Sequence, residues 1–111
     1  MGLIADNVRR ILSGIPGHVK VIAAAKTRTP DEIREAIDAG ITLIGENYLQ
    51  EAREVIPQVV NLAGWHFIGH IQTNKVKHIV PLFDMIETLD SLNLAQTIDR
   101  IAGRLGKTMP V

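Results

Sequence analysis

The chain has 111 residues, with 12 Lys and Arg against 12 Asp and Glu, no cysteine and an apolar fraction of 46%. That composition describes one soluble globular unit or part of one, without the electrostatic footprint of a nucleic-acid or anionic-membrane binder, and without disulfides, thiolate metal sites or a cysteine nucleophile. No apolar run approaches the roughly 20 residues of a membrane span, and no basic segment with a long apolar core opens the chain, so a cytoplasmic protein is expected.

In chain order, Ile4, Val8, Ile11, Leu12 and Ile15 share one helical face, and Gly14, Pro16 and Gly17 stop that helix. Residues 19–25, rich in β-branched and small side chains, predict a buried parallel strand. Thr29-Pro30-Asp31-Glu32 reads as a capping box with proline in the first turn and acids at the positive end of the helix dipole; Gly40 terminates that helix. Residues 41–45 predict a second strand, and 48 to about 62 a second βα helix that Pro57 kinks or shortens. A third strand is predicted over 65–68, with Trp65 and Phe67 in the core, and a helix over about 74–82. A fourth strand follows over 84–89. Leu92, Ala95, Ile98, Ala102 and Leu105 then mark a last helix closed by Gly106.

Strands alternate with helices at intervals of about 20 residues, with no Asn-Gly hairpin signal between them. Right-handed crossovers between sequential neighbours put every helix on one face of the sheet, and nothing signals the strand-order reversal of a doubly wound fold. The fold class expected is α/β, the amino-terminal half of a (β/α)8 barrel: about four parallel strands with helices on one face. Residues 1–111 form a single partial domain, four βα units plus an N-terminal helix. A whole barrel takes about 250 residues. A half leaves one sheet face and both edges bare, so a second copy or a complementary C-terminal half is expected to cover them, or the chain is a truncated portion of a longer protein. Residues 107–111 leave the last helix where a fifth strand would begin.

Ala23-Ala24-Ala25-Lys26-Thr27 ends an apolar run with a lysine just before a helix start. In a βα unit that position faces the active-site mouth, where a poorly solvated amine loses its proton and attacks an aldehyde to form a Schiff base. The plainer reading is a solvated lysine capping the strand. His66, His70 and His78 match no metal-ligand spacing and read as core or surface histidines. Asn74, Lys75, Lys77 and His78 cluster at a helix start where phosphate binds readily, but read better as a solvated face.

Ala25-Lys26-Thr27, Gly45-Glu46-Asn47-Tyr48 with Gln50-Glu51-Ala52, and Trp65-His66-Phe67-Ile68-Gly69 with Gln72-Thr73-Asn74-Lys75 resemble, in order and spacing, the pyridoxal phosphate homeostasis proteins. The resemblance covers essentially the whole chain; His70 departs from it, standing where many members have proline. It implies the barrel fold of the amino-terminal domain of alanine racemase. It also implies pyridoxal 5′-phosphate (PLP) held as a Schiff base on Lys26, and a role in keeping and delivering the cofactor rather than in catalysis. Asn47 matches an asparagine lining the family's cofactor pocket, where a neutral amide bonds the phenolic oxygen or the linking lysine, and it also suits a helix N-cap. Glu46 is expected to pair with a nearby base, with a direct pocket role the lesser reading. The family's serine, glycine-threonine and arginine contacts to the cofactor lie in the half not represented here. Each charge-assisted phosphate bond contributes about 1.5–3 kcal/mol, so cofactor binding by this short chain is expected to be weak or absent. Two other classes stand beside this one: a racemase- or aldolase-like Schiff-base enzyme, for which no second base is evident, and a half-barrel assembly unit that pairs with a partner.

Overall fold

The computed structural model describes residues 2–59 and 62–111. Its elements are α1 (Leu3–Ser13), β1 (Ile22–Ala24), α2 (Pro30–Asp38), β2 (Leu43–Glu46), α3 (Leu49–Val59), β3 (Gly64–Phe67), a 3₁₀ turn (Thr73–Lys75), α4 (Val76–Ile79), β4 (Met85–Ile86) and α5 (Leu92–Arg104). The strands form one parallel sheet in the order β1-β2-β3-β4. Sequential parallel order is the wiring of half a (β/α)8 barrel, as the serial punctuation predicts.

Side-chain direction alternates along the strands and separates the two faces, and burial follows it most clearly in β3. Ile44, Glu46, Trp65, Phe67 and Ile86 lie under the helices, whose inner residues Ile33, Ala36, Ala52, Val55, Ile56, Val76, Ile79, Leu94 and Ile98 complete the core. Phe67 meets Phe83 edge to face at 5.2 Å. The opposite face carries the register row Ala24, Gly45, His66 and Met85, none of them beneath a helix. Gly45 leaves room there: a Cβ would stand 2.7 Å from the Ile68 Cδ1 and 3.0 Å from the Ile22 Cγ2.

The boundaries depart from the sequence pattern where local hydrogen bonds intervene. Val19 donates to the Pro16 carbonyl in a turn and is exposed, so β1 begins only at Ile22. The chain at Ile41 is still closing α2, with Gly40 at φ 124° and the Ile41 N–H on the Ala36 carbonyl, which moves β2 to Leu43. Beyond Val59, positions 60–61 of the predicted helix lie outside the described residues. The helix predicted over 74–82 is a 3₁₀ turn followed by one turn of α-helix, because Pro81 offers no N–H and disfavours helix at the residue before it. On α1, Ile4, Val8 and Leu12 pack on the core while Ile11 stays exposed.

Several side chains fasten the helices. Thr29 accepts from the Glu32 N–H while Glu32 accepts from the Thr29 N–H, closing the capping box of α2. Glu35 of α2 accepts from the Ala5 N–H at 2.9 Å, satisfying a first-turn donor of α1. After α5, Lys107 donates to the carbonyls of Val80 and Phe83 at 2.6 and 2.7 Å. The following segment lies along β4, with Met109 buried and the Ile86 N–H on the Pro110 carbonyl at 3.0 Å. Residues 107–111 thus do more than leave the last helix: their Pro110 carbonyl bonds the outer side of β4.

Candidate functional site at the carboxyl ends of the strands

Parallel strands deliver the residues that follow them to one rim. Lys26 and Asn47 stand two residues beyond the paired positions Ala24 and Gly45, at the carboxyl ends of β1 and β2. Ile68 and Glu87 occupy the matching places after His66 and Met85. Lys26 is exposed and Asn47 half-buried. The burial that the amine chemistry calls for is therefore not supplied by these residues. Lys26 takes part in no ion pair among the described residues.

Lys26 sits on the corner of a turn. The Arg28 N–H closes onto the Ala25 carbonyl at 3.0 Å, and Thr27, third of the four residues, has φ 66°. A positive φ at that position alone is the type II arrangement, which favours glycine; left-handed backbone in a β-branched residue costs roughly 1–2 kcal/mol. The Thr27 N–H, which the turn itself leaves free, donates to the Glu51 carboxylate of α3. Glu51 is absent from the site read from the sequence, and its position three residues after Tyr48 gave no hint that it reaches the lysine turn.

Asn47 is fixed through its backbone. A Cβ on Gly69 would lie 2.0 Å from the Asn47 carbonyl oxygen, so only glycine fits there. The Thr88 hydroxyl in turn donates to the Gly69 carbonyl at 2.6 Å, tying the ends of β3 and β4 behind Asn47. Gly69 directly after a strand was the one legible signal for this contact; Thr88 carried none. With Tyr48, Arg53, His70, Gln72 and Lys75, Asn47 lines an open cavity of ≈ 460 Å³ between α3 and the 3₁₀ turn.

Glu46 corrects the expectation of a paired base. Its alternation places it on the helix side of β2, fully buried, with both carboxylate oxygens lacking a hydrogen-bond partner among the described residues. Burial, and then the nearby Glu51 charge, push its pKa up to about 7. His66 Nδ1 lies 2.7 Å from Glu87 Oε2 on the bare face. His78 is held below its ordinary pKa by burial and by Arg53, Lys77 and Lys75, and it lines a shallow surface cavity with Arg53 and Lys77. Among the described residues, no three His, Cys, Asp or Glu side chains gather as a metal ion requires.

Fold and rim together define a half barrel of the (β/α)8 type with Lys26 just past the carboxyl end of β1 and Asn47 just past that of β2. No family model matches the chain. It is 37% identical over 99 residues to the pyridoxal phosphate homeostasis protein of Synechocystis, covering 87% of this chain and 45% of that protein. It is 36% identical over 109 residues to the Pseudomonas aeruginosa protein of the same name, covering 88% and 47%. PipY of Synechococcus elongatus, solved with PLP bound, superposes with a TM-score of 0.91 at 38% identity, over 96% of this chain and 51% of PipY. The PLP-free PipY structure superposes with a TM-score of 0.90. By sequence and fold the chain belongs to the pyridoxal phosphate homeostasis protein family. It spans about half the length of the relatives it matches. None of the helices described is long and apolar enough to cross a membrane.

Proposed function

We propose that this chain supplies the lysine side of a PLP-binding barrel whose role is to hold and release the cofactor. The observation that carries this reading is the placement of Lys26, unpaired and on a turn corner at the mouth of β1, in a chain that superposes on PLP-bound PipY. The amine side of the group fits: Lys26 Nζ would add to the aldehyde carbon and form a carbon–nitrogen double bond with loss of water. The half-buried Asn47, its backbone wedged against Gly69, would hydrogen-bond the ring's phenolic oxygen or the linking nitrogen without adding charge. The phosphate is the contact that a complementary half must provide. Residues 1–111 are then one partial domain, and the complementary half covers the bare face and completes the mouth.

Carriage of the cofactor, rather than turnover, is the reading favoured by the rim. Among the described residues, His66 is engaged with Glu87 and Tyr48 is exposed at the start of α3, so this half of the rim offers Lys26 no evident second base. The test is absorbance of the chain with added PLP, followed by borohydride reduction and mapping of the labelled lysine. A new band with the label concentrated on Lys26, and lost in Lys26→Ala, is the expected result. Labelling spread evenly over the lysines overturns Lys26 as the cofactor's attachment point.

A further inference from the structure

The turn that carries Lys26 is held in place from a different element. Three observations bear on it: Thr27 adopts φ 66°, a conformation β-branched residues avoid; its N–H is the donor that a type II turn leaves unused; and that N–H meets a carboxylate oxygen of Glu51, 24 residues later on α3. A carboxylate accepting from a backbone N–H makes a charge-assisted bond, stronger than a neutral one, and here it offsets the cost of the left-handed threonine. The Glu51 charge also contributes, after burial, to raising the pKa of Glu46 at the end of β2. Without this bond, nothing in the turn opposes a flip of the Lys26–Thr27 peptide plane toward type I, which would bring Thr27 to negative φ.

We infer that Glu51 is the positioning residue for Lys26: by clamping the Thr27 N–H it fixes the strained turn that aims the lysine at the barrel mouth. The inference rests on the proposed attachment of PLP to Lys26 only for its functional consequence; the clamp itself is a statement about the turn.

The chain contains five lysines, so Lys20, Lys75, Lys77 and Lys107 are internal standards for the reactivity of Lys26. Label is read after PLP addition and borohydride reduction in the parent, Glu51→Gln, Glu51→Ala, Thr27→Gly and the Thr27→Gly/Glu51→Ala double variant. Amide exchange of residue 27 is followed by NMR in the same set. Glu51→Ala is expected to cut the label on Lys26, relative to the other four, by about tenfold, the scale of loss that a misaimed reacting group produces. It should also abolish protection of the Thr27 amide. Glu51→Gln keeps an acceptor and should stay within about threefold of the parent, as a neutral bond replaces a charged one. Because glycine adopts the turn without strain, Thr27→Gly should remove most of the effect of Glu51→Ala, a non-additivity that general loss of stability does not produce. Unchanged Lys26 labelling in Glu51→Ala overturns the positioning role. If the parent itself shows no preference for Lys26, the cofactor reading fails instead. The clamp is then decided by the Thr27 amide alone: protection lost in Glu51→Ala supports it, and protection retained overturns it.

Discussion

Glu46 and Gly69 are the residues whose individual chemistry governs the rim. A carboxyl with a folded pKa of about 7 keeps a proton that the unfolded chain, with an ordinary value of 4.5, has already released. Between those two values the native state binds more protons than the unfolded one, so stability is full below pH 4.5, falls as pH rises toward 7, and levels off above. The loss is on the order of 3 kcal/mol at about 1.4 kcal/mol per unit of displacement. Urea unfolding as a function of pH should show that slope, and Glu46→Gln should flatten it; an identical pH profile in the variant would show that Glu46 titrates normally. Gly69→Ala introduces a Cβ 2.0 Å from the Asn47 carbonyl oxygen, so the Asn47 backbone must move. Overpacking of this kind costs about 1–3 kcal/mol. The expected outcome is a lower urea midpoint together with displaced Asn47 amide resonances, and a variant with parental Asn47 signals would show that the rim accommodates the methyl elsewhere.

At the scale of elements, the punctuation of the sequence carries further than its apolar patterns. The capping box at Thr29, the stop at Gly40 and the close of α5 before Gly106 all stand where local chemistry puts them, because each is decided by residues within one turn. Strand ends are decided by partners far away. β4 is two residues long, not six: ahead of it the Asp84 N–H bonds the Trp65 carbonyl but the Trp65 N–H goes to the Asp84 carboxylate rather than to a backbone carbonyl, and beyond it the Glu87 N–H bonds the Phe67 carbonyl. The same distinction runs through the site. The strand-end placement of Lys26 was legible from the fixed address of a βα series and Asn47 was singled out by the family resemblance, whereas the grip of Glu51 on Thr27 and of Thr88 on Gly69 spans 24 and 19 residues and leaves no local trace. Long-range ties of this sort also set stability. Lys107 supplies a charged donor to two carbonyls at the end of α4, where Pro81 has broken the helix. Hydrogen bonds to a charged group contribute about 1.5–3 kcal/mol, so Lys107→Met should lower stability by about that amount, read as a drop in thermal midpoint. A midpoint equal to the parent's would mean that water replaces the ammonium without loss.

For the whole molecule, the decisive feature is the imbalance between its two faces. One is sealed by helices. The other shows the half-buried Ile22, Leu43, Ile68 and Met85 around the His66–Glu87 contact. Apolar surface of that kind is stabilised by contact, at about 25 cal/mol for each Å² removed from water. The chain alone is therefore expected to self-associate weakly, with a sedimentation mass that rises with concentration, and Met85→Lys should restore a monomer. A parent that stays monomeric at every concentration would show that the bare face tolerates water.

The two edges of the sheet differ as much as its faces do. β1 has ladder bonds to β2 alone, whereas the outer side of β4 is already engaged by the Pro110 carbonyl. Lateral growth is thus polar. A newcomer approaching β4 must continue from, or evict, the 109–111 segment, while one approaching β1 meets free backbone. The edge with free backbone is the strand that leads into Lys26, so a strand added there would lie beside the lysine turn.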